Sequence, residues 1–180
     1  MPALVLMTDD ERLPAPLIAA RKLPRGSMVI VRARQSSHRT KLAHSLRPVA
    51  RARGLILLVA NDPTLADRIG AQGLHLSEAN AREACTWRAR RSRWLITSTA
   101  HTLGACASAK RLGADAALLS PVFPTGSHPG AKCLGAARAR MIARQAAIPV
   151  YALGGVNGQT VMGLARAPFS GIAAIGALAA

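Results

Sequence analysis

The sequence predicts an α/β fold, a compact (β/α)8 barrel (TIM barrel) made of one domain spanning residues 1–180. Short apolar runs recur roughly every 24 residues, about one strand and helix per repeat. Several runs are continuous rather than alternating, as in strands buried on both faces of a parallel sheet. Eight such units predict a barrel with its site at the carboxyl ends of the strands. An open doubly wound sheet is the alternative.

The strands come first in this prediction, because the apolar runs mark them most clearly. They are predicted at Leu4–Thr8, Met28–Arg32, Leu55–Ala60, Gly73–Leu76, Arg93–Ser98, Ala114–Ser120, Pro149–Leu153 and Gly171–Ile175.

Helix signals fill the segments between the strands. Pro63 suits the first turn of a helix after the third strand, and Gly113 suits the end of the helix before the sixth. Pro48 is predicted to kink or shorten the helix over 37–53. The first unit, between residues 9 and 27, has little room for a helix. The sequence stops directly after the eighth strand, so the final helix is predicted to be lacking.

Composition excludes several classes of protein. Half of the residues are hydrophobic, which argues against intrinsic disorder. Three separated cysteines, Cys85, Cys106 and Cys133, do not make a disulfide scaffold. The longest run of large apolar residues, Leu55–Val59, is far shorter than a membrane span. The N-terminus lacks a signal-peptide layout, so a soluble, cytoplasmic protein is expected.

The charge is strongly positive, with 24 Lys and Arg against 8 Asp and Glu and a net charge of +16. Most of these side chains are expected on solvated helix faces. Some could attract a phosphorylated ligand or nucleic acid. With only 3% aromatic residues for stacking, nucleic-acid binding is the weaker interpretation.

Polar side chains follow the predicted strands. Arg32 and Arg34 end the second strand on one face, and their guanidinium groups suit phosphate oxygens. Asn61 and Asp62 end the third strand, although Asp62 could also cap the next helix. His75, inside the fourth strand, is interpreted as a hydrogen-bonded barrel residue. These groups indicate an anionic ligand.

Glycines end the last two strands, at Gly154, Gly155 and Gly176. Barrels often bind phosphate between these two loops, where backbone N–H groups can approach it closely. The fifth strand leads to Thr99 and His101, and the sixth leads into a hydroxyl-rich loop. A phosphate site at this edge is therefore predicted.

Five segments resemble the thiamine phosphate synthase/TenI family of (β/α)8 barrels. The family's Gly-Pro-Val-Phe-Pro-Thr loop and its Pro-Val-x-Ala-Ile-Gly-Gly-Ile segment are the most specific of the motifs that this sequence resembles. The five segments are Leu6–Asp9, Val59–Asp62, Gly73–Leu76, Ser120–Thr125 and Pro149–Val156.

The resemblance implies a transferase of thiamine biosynthesis. Its substrates would be aminomethylpyrimidine diphosphate and a thiazole phosphate, joined to give thiamine phosphate with release of pyrophosphate and with Mg²⁺ as cofactor. Neither a membrane nor nucleic acid is expected as a partner, and a homo-oligomer is possible.

The same resemblance assigns the site residues. The catalytic residues would be Arg32, Arg34, Thr99 and His128. The substrate-binding residues would be Ile30, Arg32, Arg34, Asn61, Thr99, Thr125, Ser127, His128, Gly155, Ile175 and Gly176. The metal-binding residues would be Asp62, Glu78 and Asn80.

Three departures from the family pattern change expected polar contacts of the site. Ile30 stands where the family has glutamine, Asn80 where it has aspartate, and His128 where it has lysine. These changes keep an alternative open: a divergent TenI-type barrel that binds a thiazole or pyrimidine phosphate without synthase activity.

Overall fold

The computed structural model describes residues 1–126, 130 and 132–178. Its eight strands, β1 to β8, are Leu4–Met7, Met28–Val31, Ile56–Ala60, Gly73–Leu76, Leu95–Ala100, Ala116–Leu119, Val150–Leu153 and Gly171–Ala174. The α-helices of this part, α1 to α6, are Pro16–Lys22, Ser36–Arg53, Pro63–Arg68, Glu83–Arg90, Leu103–Arg111 and Gly135–Gln145.

The eight strands form a closed parallel barrel in chain order. Closure is made by β8 against β1, with Leu4 opposite Ile172 and Leu6 opposite Ala174. The predicted (β/α)8 barrel is therefore confirmed, and the open doubly wound sheet is excluded. Within the described ranges, no helix is both long and apolar enough to cross a membrane.

Strand positions agree with the prediction, and the largest shift is in β5. The prediction began this strand at Arg93, whereas it begins at Leu95. The backbone N–H of Trp94 donates to the carbonyl of Arg91 at 2.9 Å, so the residues between them form a turn. Hydrophobicity alone does not reveal that turn.

Two apolar layers fill the molecule, because side chains alternate along each strand. Val5 and Met7 belong to the cluster inside the barrel, whereas Leu6 belongs to the cluster between barrel and helices. The largest fully buried side chain is Tyr151 of the inner cluster. Its hydroxyl donates to the carbonyl of Pro2 at 2.6 Å. A small inner layer suits a sequence with few aromatic residues.

The helical layer is uneven. Helix α1 has only 7 residues, as the short first unit predicted. After β7 the chain forms a 3-10 turn at Val161–Leu164, and after β8 another at Gly176–Leu178. The described residues thus hold no α-helix beyond α6.

The predicted shortening of α2 at Pro48 is wrong. The helix runs without a break from Ser36 to Arg53. Pro48 and His44 both lie on the exposed face of α2, where water can bind the carbonyl that the proline leaves without a donor. The opposite face is buried against the barrel and keeps the helix continuous.

Candidate functional site

A cavity of about 870 Å³ opens at the carboxyl ends of the strands. Five basic side chains line it, and no Asp or Glu of the described residues does. The five are Arg12, Arg32, Arg34, Arg39 and Lys132. Because basic groups concentrated in a low-dielectric cleft attract anions, the cavity suits a phosphorylated ligand.

Most of the predicted binding residues meet in this cavity. Its wall includes Arg32, Arg34, Asn61, Thr99, Thr125, Gly155, Ile175 and Gly176. Ile30 is fully buried in the inner layer and does not reach the wall. The predicted Ser127 and His128 lie outside the described residues.

Thr8 and Asp9 hold Arg32 from two sides. The Thr8 hydroxyl accepts from the backbone N–H of Arg32 at 2.8 Å and donates to its carbonyl at 2.7 Å. Arg32 Nη1 donates to Asp9 Oδ2 at 2.7 Å, and Arg12 donates to the same oxygen at 2.6 Å. The end of β1 therefore determines where the guanidinium of Arg32 lies.

Asp9 is ionised at neutral pH because of these partners. Burial acts to raise its pKa, but hydrogen bonding and charge from Arg12, with backbone N–H donors of Glu11 and Arg12, outweigh burial. The pKa of Asp9 is therefore held well below its usual range.

The next two acidic residues act in the same loop. Asp10 accepts from the backbone N–H of Arg34 at 2.8 Å and lies 2.8 Å from Nδ1 of His38. Glu11 pairs with Arg34 at 2.7 Å, at an exposed position. The β1–α1 loop thus orders the β2–α2 loop.

His75 lies in the floor of the cavity. Its Nδ1 is 2.9 Å from the hydroxyl of Thr97, and its Nε2 is 3.1 Å from that of Thr99. Burial, together with the positive charge of Arg32, lowers the pKa of His75 to about 4. The imidazole is therefore neutral at pH 7, and its interpretation as a hydrogen-bonded barrel residue is confirmed.

We expect His75 to make the protein less stable as the pH falls from about 6.5 to about 4. In this window the unfolded chain protonates this histidine, while the folded protein keeps it neutral. A shift from 6.5 to about 4 corresponds to a loss of about 3 kcal/mol. The measurement is urea unfolding of wild type and His75→Asn across this pH range, with the exposed His44→Asn as control. Parallel pH profiles for wild type and His75→Asn would contradict it.

Asn61 connects the loop after β3 to the loop after β4. Its side-chain oxygen accepts from the backbone N–H of Ser77 at 2.8 Å. Asn61 also has a positive φ of 50°, a conformation that asparagine tolerates better than most residues. The loops after β3 and β4 are therefore held together beside the cavity.

The predicted metal residues do not line the cavity. Asp62 caps α3 by accepting from the backbone N–H of Leu65 at 2.9 Å, and it pairs with Arg39 at 3.2 Å. The Glu78 carboxylate accepts from the backbone N–H of His101 at 3.0 Å. Among the described residues, no group of three His, Cys, Asp or Glu could hold a metal ion.

The glycines after β7 pack against the loop after β6. The backbone N–H of Phe123 donates to the carbonyl of Gly154 at 2.9 Å. A Cβ on Gly155 would lie only 2.3 Å from the carbonyl oxygen of Pro124. The Thr160 hydroxyl donates to the carbonyl of Gly155 at 2.8 Å. Gly155 therefore serves both the cavity wall and the junction of two loops.

Sequence reasoning missed three basic residues in the wall. Arg12 lies in the β1–α1 loop, Arg39 in the second turn of α2, and Lys132 between β6 and α6. The Nε of Arg39 is buried and has no hydrogen-bond partner in the described part of the chain. Their signal was weak, because arginine is also common on the exposed helix faces.

Comparisons with known proteins agree with the geometry. A family model described as thiamine monophosphate synthase matches residues 4–178. The putative thiamine-phosphate synthase 2 of Aquifex aeolicus is 31% identical over 121 residues. That match covers 67% of this chain and 64% of the relative, so it spans less than two thirds of the relative's length.

Two further proteins are similar over nearly the whole chain. The thiamine-phosphate synthase of Chlorobium luteolum is 27% identical over 180 residues, covering 98% of this chain and 85% of the relative. The solved structure of thiamine phosphate pyrophosphorylase from Pyrococcus furiosus has a TM-score of 0.81, covering 99% of this chain and 88% of that one. At 22% identity, the latter supports the fold alone.

Proposed function

Because the chain belongs to the thiamine monophosphate synthase family, we propose that it is a transferase that joins aminomethylpyrimidine diphosphate to a thiazole phosphate. The products are thiamine phosphate and pyrophosphate. One observation carries the proposal: a cavity with five basic side chains in its wall and no described acidic one. Two anionic substrates must bind side by side there, and negative charge must be stabilised on a departing diphosphate.

Arg32 and Arg34 bind the diphosphate in this proposal. The bond between the pyrimidine methylene carbon and the diphosphate oxygen breaks, and the oxygen keeps the electron pair. Arg32, fixed by Thr8 and Asp9, already points a guanidinium into the cavity and needs little rearrangement to stabilise that charge. Arg34 adds a second guanidinium at the rim.

The pyrimidine half lies against Asn61 and Thr99, above the neutral imidazole of His75. Loss of the diphosphate leaves a positive charge on the pyrimidine methylene group. A protonated imidazole in the floor would repel that charge, and a neutral one does not. His75 also holds the Thr99 hydroxyl at 3.1 Å, which positions a polar group for the pyrimidine.

The thiazole half lies on the side of β6 to β8. Its phosphate binds at Thr125, Gly155, Ile175 and Gly176, with the predicted Ser127 and His128 nearby in sequence. The thiazole nitrogen then attacks the methylene carbon with its lone pair, and the new carbon–nitrogen bond completes thiamine phosphate. The predicted roles of these residues stay a proposal.

Magnesium at Asp62, Glu78 and Asn80 stays a prediction. The two carboxylates already have partners: Arg39 and the start of α3 hold the Asp62 carboxylate, and the backbone N–H of His101 donates to the Glu78 carboxylate. The steps above therefore use only groups of the protein. A homo-oligomeric state and a cytoplasmic location also stay predictions.

The test is direct synthesis. Purified protein mixed with both phosphorylated halves and Mg²⁺ should form thiamine phosphate and pyrophosphate in equal amounts, measured by chromatography. The control is Arg91→Gln, which removes an arginine paired with Asp67 away from the cavity and should be fully active. Failure of wild type to form product would overturn the proposed function.

A second candidate follows from Ile30. This residue, at the position where the family has glutamine, is fully buried and apolar, so it offers the pyrimidine no hydrogen bond. A divergent TenI-type barrel would bind a thiazole or pyrimidine phosphate without joining them. Calorimetric binding of either half, combined with no product after long incubation, would favour this function over synthesis.

A further inference from the structure

Asp9 binds two arginines of the cavity wall, Arg12 and Arg32. The proposed reaction gives a role to Arg32 but none to Arg12. Arg12 Nε and Nη2 donate to Oδ1 and Oδ2 of Asp9 at 3.1 and 2.6 Å. Arg32 Nη1 donates to the same Oδ2 at 2.7 Å. Two guanidinium groups are therefore neighbours on one carboxylate oxygen.

Arg12 lies in the β1–α1 loop, next to the β2–α2 loop that carries Arg34. Strand β1 pairs with both β2 and β8, so the loop that carries Arg12 lies between the loops after those strands. The carbonyl of Arg12 lies 3.7 Å from the point that a Cβ on Gly176 would occupy. The backbone of Arg12 therefore adjoins the glycine loop after β8, while Arg32 follows β2.

We propose that Arg12 binds the phosphate of the thiazole substrate beside Gly176, and that Asp9 is a positioning residue that sets the spacing of Arg12 and Arg32. This inference rests on the proposed function. The two substrates carry like charges and must come within bonding distance of each other. A pair of guanidiniums on a shared carboxylate provides two anion sites at a fixed separation.

Burial and charge support this role for Asp9. Its side chain is 9% exposed, whereas those of Arg12 and Arg32 are 28% and 40% exposed. The carboxylate is thus behind the wall and the guanidiniums are in it. Its negative charge also offsets the repulsion between two cations held close together, which keeps both of them ordered before a phosphate binds.

The first test measures each KM separately. Arg12→Gln should raise KM for the thiazole phosphate about tenfold or more, as expected for the loss of a charged hydrogen bond. KM for the pyrimidine diphosphate should change by less than about threefold. Arg12→Lys should recover part of the loss, because it restores the charge without the fork. Equal increases in both KM values, or none, would overturn the role of Arg12.

The second test removes the charge of Asp9. Asp9→Asn should raise both KM values about tenfold, because both guanidiniums lose the shared carboxylate. The matched control is Asp67→Asn, which breaks an arginine pair of the same two-contact geometry away from the cavity, with contacts to Arg91 at 2.8 and 2.7 Å. An increase in only one KM, or in neither, would overturn the positioning role. Equal melting temperatures for the Asp9→Asn and Asp67→Asn variants would exclude unfolding as the cause.

Binding without turnover separates this inference from the proposed function. If wild type forms no thiamine phosphate, the synthase function fails. Calorimetry with inorganic phosphate as the probe then tests Arg12: Arg12→Gln should weaken phosphate binding about tenfold. Unchanged phosphate binding would overturn the inference as well.

Discussion

Replacing Arg32 with glutamine is expected to lower kcat/KM for thiamine phosphate formation by about 100-fold to 1,000-fold, the range seen when one preorganised donor to a developing anion is removed. The departing diphosphate gains charge in the transition state, so the loss should appear mainly in kcat. Three contacts from β1 and its loop position Arg32 for this role: two with the Thr8 hydroxyl and one with Asp9. Thr8 is in turn held by its backbone N–H, which donates to the carbonyl of Ile30.

The Arg32→Gln variant should remain folded, because Asp9 keeps its two bonds to Arg12. We expect its melting temperature to lie within about 4 °C of wild type, which corresponds to about 1 kcal/mol for a chain of this size. Arg32→Lys should be about tenfold more active than Arg32→Gln, since lysine keeps the positive charge but not the two-donor geometry of the guanidinium. Arg91→Gln serves as the control. A fully active Arg32→Gln variant with both substrates at low concentration would contradict this role.

The barrel was predictable because its strands are buried on both faces. Continuous apolar runs such as Leu55–Ala60 are typical of strands in a parallel sheet that helices cover, and all eight strands were located. Pro48 was misleading because the effect of a proline depends on where the unpaired carbonyl points. Which way this carbonyl faces is not evident from the sequence, because it depends on which face of the helix packs against the barrel.

Half of the candidate site was predictable for a related reason. Residues directly after a strand, such as Arg32 and Asn61, must lie at the carboxyl edge of the sheet. Arg39 and Lys132 lie several residues beyond the ends of their strands. There, a small change in the direction of the chain decides whether a side chain lines the cavity or faces solvent. Their positions depend on tertiary structure that no local pattern contains.

The acidic residues show the same limit. Among the described residues, seven of the eight acidic side chains lie within ion-pair distance of an arginine or histidine. Some of these pairs, such as Arg32 with Asp9 and Arg39 with Asp62, join residues 23 apart in sequence. The few acidic side chains therefore position particular arginines. They leave much of the net charge of +16 available to attract anions.

Gly155→Ala is expected to lower both stability and activity, because the added methyl group has no space. Its Cβ would lie 2.3 Å from the Pro124 carbonyl oxygen and 2.8 Å from the Phe123 Cβ. The φ of Gly155 is also +64°, which costs an alanine about 1 kcal/mol. Backbone on one side of the contact must therefore move, for a total loss of about 3 kcal/mol.

Such a loss corresponds to a melting temperature lower by about 10 °C for a chain of this size. Movement of this loop would also shift the wall at Gly155 and Thr125, so KM for the thiazole phosphate should rise more than KM for the pyrimidine diphosphate. Gly158→Ala is the matched control, because no described residue other than its two chain neighbours has an atom within 4 Å of its added Cβ. Its melting temperature should stay near that of wild type. Scanning calorimetry and steady-state kinetics measure both effects. If Gly155→Ala has the same melting temperature and the same two KM values as wild type, the close packing between the loop after β6 and the loop after β7 does not limit the shape of the cavity.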